Sequence, residues 1–152
     1  MDMASWQEIE KDAPEFAERV RATFAVGIHK SLATLRKDGS PRISGSELKI
    51  EDGEVTFGMM GGSLKLADVR RDPRVAVHSP TLDPPKEGEW RGDAKIAGRA
   101  VEVPPGKDAE AGSGAFRIDV TEVALTYLGT PADHLVIESW HEGAGWRRRT
   151  RA

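Results

Sequence analysis

The stretch from Ser31 to Met60 constrains the fold more than any other part of the chain. After Ser31 it reads LATLR, KDGS, PRISGSELKI, EDGE, VTFGMM, so that runs of alternating apolar and polar residues are separated by two short turns. Successive side chains of a strand point to opposite faces, and this alternation predicts half-buried strands. The turns carry Asp38-Gly39 and Asp52-Gly53. Asp-Gly tolerates the positive φ that tight hairpin turns demand, so three consecutive antiparallel strands are expected. Gly45 and Ser46 interrupt the middle run, which predicts a β-bulge there, a common way of bending a sheet toward closure.

The third of these strands opens a longer unit, VTFGMMGGSLKLADVRRDPRVAV, from Val55 to Val77. Val55, Phe57 and Met59 alternate with Thr56 and Gly58 until Gly61 and Gly62 allow a sharp turn. Ser63 then fits the N-cap of a helix in which Leu64, Leu66, Ala67 and Val69 supply an apolar stripe, while Lys65, Arg70, Arg71 and Arg74 add positive charge. A capped helix start with free N–H groups, its dipole and a first-turn lysine makes a seat for a phosphate. The same residues equally describe an ordinary strand-to-helix turn with a solvated basic face, and G-G-S-x-K alone does not separate the two readings.

The flanking segments fit around this unit. Residues 1–27 predict a helical segment packed on the sheet. Ser5 and Glu8 have capping-box spacing, Asp12 caps a second helix with Pro14 in its first turn, and Phe16, Val20 and Phe24 recur every four residues. Beyond Val77, Pro80, Pro84 and Pro85 mark a loop before the long strand WRGDAKIAGRAVEV. A Gly-rich loop over 104–114 precedes further alternation at Phe116, Ile118 and Val120, then Val123, Leu125 and Tyr127, then LVIESW and WRRRTR. About seven or eight strands against two or three helices give an α+β class, mainly β: one antiparallel barrel over residues 1–152 with helices at its ends.

Composition narrows the function. A formal net charge of -3 provides no basic field for nucleic acid or an anionic membrane. The absence of cysteine excludes disulfides, a thiolate nucleophile and Cys-ligated zinc. His29, His78, His134 and His141 show no metal-ligand spacing, so no metal site is expected. Ser44, Ser46 and Ser63 lack a nucleophile elbow, and no acidic pair stands out as general acid and base. The acidic N-terminus has no signal-peptide pattern and no apolar run approaches the roughly 20 residues of a membrane span, which makes the cytoplasm the expected location. The terminal arginines Arg147, Arg148, Arg149 and Arg151 would be split between two strand faces. Trp140 and Trp146 flank a glycine turn, where they can wall an aromatic ligand or pack in a core or subunit contact.

Taken in order, Arg42, Ser63, Lys65, the R-R-D-P-R-V run from Arg70 to Val75, and Glu138-Ser139-Trp140 resemble the pyridoxamine 5'-phosphate oxidase-like family, the flavin and deazaflavin split-barrel proteins. The resemblance covers roughly Phe24 to Arg149. It implies a split β-barrel of the FMN-binding type and a homodimer with FMN, or alternatively coenzyme F-420, in a cleft between subunits. It also implies hydride transfer between that cofactor and an unidentified small organic substrate. Carried over by position, Ser63 and Lys65 would hold the cofactor phosphate, and Arg42 with Ser44 would reach the phosphate or ribityl chain. Phe57, Gly58 and Met59 would line the ring edge with backbone, and Trp140 of the other subunit would sit near the isoalloxazine. A dianion calls for cations and helix N–H donors and a tricyclic ring for flat apolar walls, in keeping with these types.

The chain departs from true pyridoxamine phosphate oxidases at Glu47 in place of a lysine, at Leu64 in place of a basic residue, and at Trp146-Arg147-Arg148 in place of R-x-H. A carboxylate beside a phosphate is repulsive, which argues against oxidation of pyridoxamine phosphate itself. A non-catalytic carrier or sensor of a flavin, deazaflavin or haem is the alternative on the same barrel, and a cofactor-free scaffold is the third reading.

Overall fold

The computed structural model describes residues 5–88 and 90–152. Among them it has three helices, α1 (Trp6–Asp12), α2 (Pro14–Phe24) and α3 (Leu64–Arg71). The strands are β1 (His29–Leu35), β2 (Pro41–Glu51), β3 (Glu54–Met59), β4 (Arg74–His78), β5 (Asp93–Val103), β6 (Gly114–Leu128), β7 (Leu135–His141) and β8 (Gly145–Arg151). The second hairpin turn takes the expected form, with φ of 52° at Asp52 and 75° at Gly53.

The strands lie in the order β3-β2-β1-β4-β5-β6, and β6 returns to pair with β3, closing a six-stranded antiparallel barrel. Closure is possible because β6 is 15 residues long. Its first part pairs with β3, Ala115 to Thr126 with β5, and its last part with β7, from which β8 extends the sheet outside the barrel.

The bulge expected at Gly45 and Ser46 is absent, since the β1–β2 register runs unbroken from His29↔Glu47 to Leu35↔Pro41. The irregularity lies instead between Ala97 and Gly98, where Thr121 of β6 is the extra residue and donates its hydroxyl to the Ala97 carbonyl at 3.2 Å. Packing decides the place: a Cβ on Gly98 would lie 2.0 Å from the Asp119 carbonyl oxygen, so only glycine lets the strands cross so closely. The same bulge explains why the buried positions of β6 change phase, from Phe116, Ile118 and Val120 to Val123 and Leu125.

Leu32, Val55, Ile96, Ile118, Val120 and Val123 are fully buried in the barrel, and Trp6, Ile9, Phe16, Val20 and Phe24 of α1 and α2 belong to the same core. Each such side chain contributes about 1.5–3 kcal/mol on burial. Two expected caps are not formed. Ser5 makes no side-chain cap bond, and Ala13, not Asp12, precedes α2. The Asp12 carboxylate instead accepts the indole N–H of Trp140 at 3.3 Å, because a buried indole needs an acceptor more than an exposed helix start needs a cap. No helix among the described residues is long and apolar enough to cross a membrane.

Candidate functional site

A groove of about 630 Å³ opens on the outside of the barrel where β2, β3 and the start of β6 come together. Gly45, Glu47, Gly58, Lys65 and Ala115 line it, with Met60 and part of the loop over 104–113 at its edge. Gly58 sits opposite Ala115 in the β3–β6 ladder, so the floor there is nearly bare backbone. Neither Gly45 nor Gly58 has positive φ, and therefore neither is glycine for conformational reasons. Nor does packing require it. A Cβ on Gly45 would meet nothing within 4 Å, and one on Gly58 only the Gly114 carbonyl oxygen at 3.6 Å. A flat apolar ligand could lie directly on this backbone.

The helix α3 begins at the rim. The Ser63 hydroxyl accepts the Leu66 N–H at 3.3 Å and fixes the helix start. Lys65 reaches across to the Gly45 carbonyl, with Nζ donating at 2.8 Å. A carbonyl does not neutralise an ammonium, and among the described residues Lys65 has no ion-pair partner. His29, Glu47 and Glu110 also line the groove, so Lys65 competes with two carboxylates for control of the local potential. Nearby Lys30 is buried and donates to the carbonyls of Gly27 at 2.7 Å and Ile28 at 3.0 Å. Burial lowers its pKa, against the opposing pull of Glu47.

Leu64 and Lys65 open onto different depressions. Lys65 lines the groove, whereas Leu64 lines a second hollow of about 560 Å³ shared with Arg36, Lys37, Arg42 and Arg71. Arg42 is not free there. Its Nε donates to Oδ2 of Asp68 at 2.7 Å, the Thr34 hydroxyl donates to the same oxygen at 2.8 Å, and Arg71 lies 3.6 Å from Oδ1. Asp68 is 2% exposed. Burial would raise its pKa, but the hydrogen bonds from Arg42 and Thr34 and the charges of Arg42 and Arg71 outweigh that and hold it below the usual carboxylate value. Sequence reasoning overlooked Asp68, although a lone carboxylate between Leu66 and Val69, ahead of two arginines, was a visible signal of an internal ion pair.

The structure brings together some of the expected site residues and separates others. Gly58, Met59 and Lys65 line the groove, and Ser63 caps the adjoining helix. Phe57 points inward and stacks on Phe116 with ring centroids 5.4 Å apart, leaving only its backbone near the floor. Arg42 and the half-buried Ser44 lie on the face of β2 opposite to Gly45, because alternate residues of a strand diverge. Trp140 is 3% exposed, packed in the core of its own chain with its N–H on Asp12. Among the described residues, no group of three or more His, Asp or Glu side chains is arranged to hold a metal ion.

No family model matches this sequence, and no curated protein matches it either. Solved structures do. A pyridoxamine 5'-phosphate oxidase-related, FMN-binding protein from Nostoc punctiforme superposes over 100% of both chains with a TM-score of 0.65 at 12% identity. PhzG from Burkholderia lata, solved with tetrahydrophenazine-1-carboxylic acid, gives a TM-score of 0.62 at 13% identity over 91% of this chain and 86% of its own. An F-420 reductase gives 0.54 at 16% identity over 68% of this chain and 94% of its own. At such identities the likeness is one of fold. The chain has the split β-barrel fold of these proteins.

Proposed function

We propose that the chain is a homodimeric oxidoreductase that lays the planar ring of FMN or of coenzyme F-420 on the floor formed by Gly45 and Gly58. The observation that carries this reading is that the fold itself would accept a side chain at both glycines, Gly45 facing open space and Gly58 only a carbonyl oxygen at ordinary contact distance. The cofactor phosphate would sit at the start of α3, where Ser63 sets the backbone N–H groups and Lys65 exchanges the Gly45 carbonyl for a charged acceptor. Arg42, fixed by Asp68, would add positive potential from the far side of Leu64 without contacting the ring. The fold shared with an FMN-binding protein and an F-420 reductase supports the choice of these two cofactors.

The bound cofactor supplies the hydride chemistry, and the chain orients it and sets its electrostatics. Glu47 and Glu110 at the groove favour a substrate without a phosphate. Ile43 is 77% and Met60 71% exposed, an apolar rim beside the groove that a second copy of the chain would cover.

Titration of the protein with FMN and with F-420, followed by visible absorbance and thermal shift, tests this. One of the two should bind saturably, Lys65→Ala should weaken it about tenfold or more, as expected for one charge-assisted hydrogen bond, and Gly58→Leu should abolish it with the fold intact. The proposal is refuted if neither compound perturbs the wild-type protein. Turnover of small substrates with the reduced cofactor then separates an oxidoreductase from a carrier, and sedimentation reports the dimer.

A further inference from the structure

A cavity larger than the groove belongs to a different part of the molecule. It is a bowl of about 870 Å³ between α2, the loop before β5 and the β6–β7 turn. The strand β6 links the two places, with Ala115 in the groove and Tyr127 in the bowl, roughly 40 Å of chain contour at about 3.3 Å per residue.

Its base is a saturated polar network. Glu138 of β7 is 6% exposed and accepts hydrogen bonds from Arg19 Nη1 at 2.7 Å, from Trp146 Nε1 at 3.1 Å and from the Tyr127 hydroxyl. The Arg19 guanidinium lies 4.3 Å over the centre of the Tyr127 ring. These contacts neutralise Arg19 and cover a face of the Tyr127 ring.

Two other guanidinium groups are uncommitted. Arg91 and Arg148 line the bowl and form no ion pair among the described residues, and Glu138, the carboxylate at its base, is already taken up by Arg19, Tyr127 and Trp146. Trp90 and His134 complete the wall. In a chain of net charge -3, such a concentration of unpaired positive charge in a concave, ring-lined site is a feature the fold does not need. Guanidinium forks match a carboxylate in geometry and charge, and the Trp90 indole offers an aromatic surface.

We propose that this bowl is a second ligand site, separate from the groove, that binds an aromatic carboxylate with its ring against Trp90 and its carboxylate on Arg91 and Arg148. The probe is 2-naphthoate, with 2-naphthol and acetate as comparators that keep only the ring or only the charge. Binding is read by quenching of tryptophan fluorescence and by calorimetry. One equivalent of 2-naphthoate per chain should bind saturably, and each comparator at least tenfold more weakly. The double variant Arg91→Gln/Arg148→Gln should lose at least tenfold in affinity with an unchanged melting temperature, whereas Lys65→Ala should bind the probe like wild type. Any of four results overturns the proposal: no saturable binding, equal binding of 2-naphthol, equal binding by the double variant, or a loss caused by Lys65→Ala that places the probe in the groove.

Discussion

The glycines of β5 and those of the groove are the same residue for opposite reasons. In β5, a Cβ on Gly98 would lie 2.0 Å from the Asp119 carbonyl oxygen, and on Gly92, just before the strand and with φ of 87°, one would lie 2.2 Å from that of Thr126. In the groove, a Cβ on Gly45 would touch nothing within 4 Å. The first pair is demanded by the crossing of strands inside the chain, and the second by nothing inside it. The charges divide the same way: Asp68 has its full set of partners beneath α3, while Lys65 leans on one backbone carbonyl. Residues whose identity the fold does not explain are where a ligand is to be sought.

The largest effect expected from this contrast is at Gly98. The clashing atom is backbone, which cannot rotate aside, so Gly98→Ala should destabilise the protein by about 3 kcal/mol, at the upper end of overpacking. Urea denaturation measures it. If Gly98→Ala unfolds at the same urea concentration as Gly45→Ala, the contrast between the two sets of glycines fails.

Asp68 comes next. Asp68→Asn keeps the shape but removes the charge that holds Arg42, whose side chain is 21% exposed and so partly solvated already, and a loss of about 2 kcal/mol follows for a hydrogen bond between charged groups. The pH dependence has a definite sign. The folded carboxyl titrates below its unfolded value of about 3.9, so the unfolded state binds the proton first on acidification. The stabilisation is complete well above that value and disappears as pH falls through the lower, folded one. Melting temperatures of wild type and Asp68→Asn should therefore differ fully at neutral pH and converge in acid. Asp72, held to about 2 by its hydrogen bonds with Arg74, is present in both proteins and cancels in the difference. A gap that persists undiminished in acid would make Asp68 a matter of shape and not of charge.

What the sequence revealed, and what it hid, follows the range of the interactions involved. The hairpin turn at Asp52-Gly53 and the cap at Ser63 are local, and both were legible from neighbouring residues. The bulge was assigned to Gly45 when it lies at Gly98, because the atom that selects glycine there belongs to Asp119, on another strand. Nothing near Trp140 in sequence shows that Asp12, in the first helix, receives its N–H. The glycine floor itself combined both ranges. Gly58 is a site residue only by the family resemblance and Gly45 reads locally as a kink, whereas the closed barrel shows the two lining one groove.

Gly45→Ala gives the smallest change in stability and the sharpest test. The backbone there is ordinary extended strand and the added methyl meets no neighbour, so the fold loses nothing on its account. Alanine also restricts the unfolded chain, which by itself stabilises by about 0.4–1 kcal/mol. The variant should thus melt at or slightly above the wild-type temperature. A ring lying on the floor would be lifted by the methyl, and affinity for FMN or F-420 should fall in the same sample. Higher stability together with weaker binding would show that the fold tolerates a side chain at this position and the ligand does not. A melting temperature lowered as far as that of Asp68→Asn would instead make Gly45 a structural residue and return the groove to the ordinary surface of a barrel.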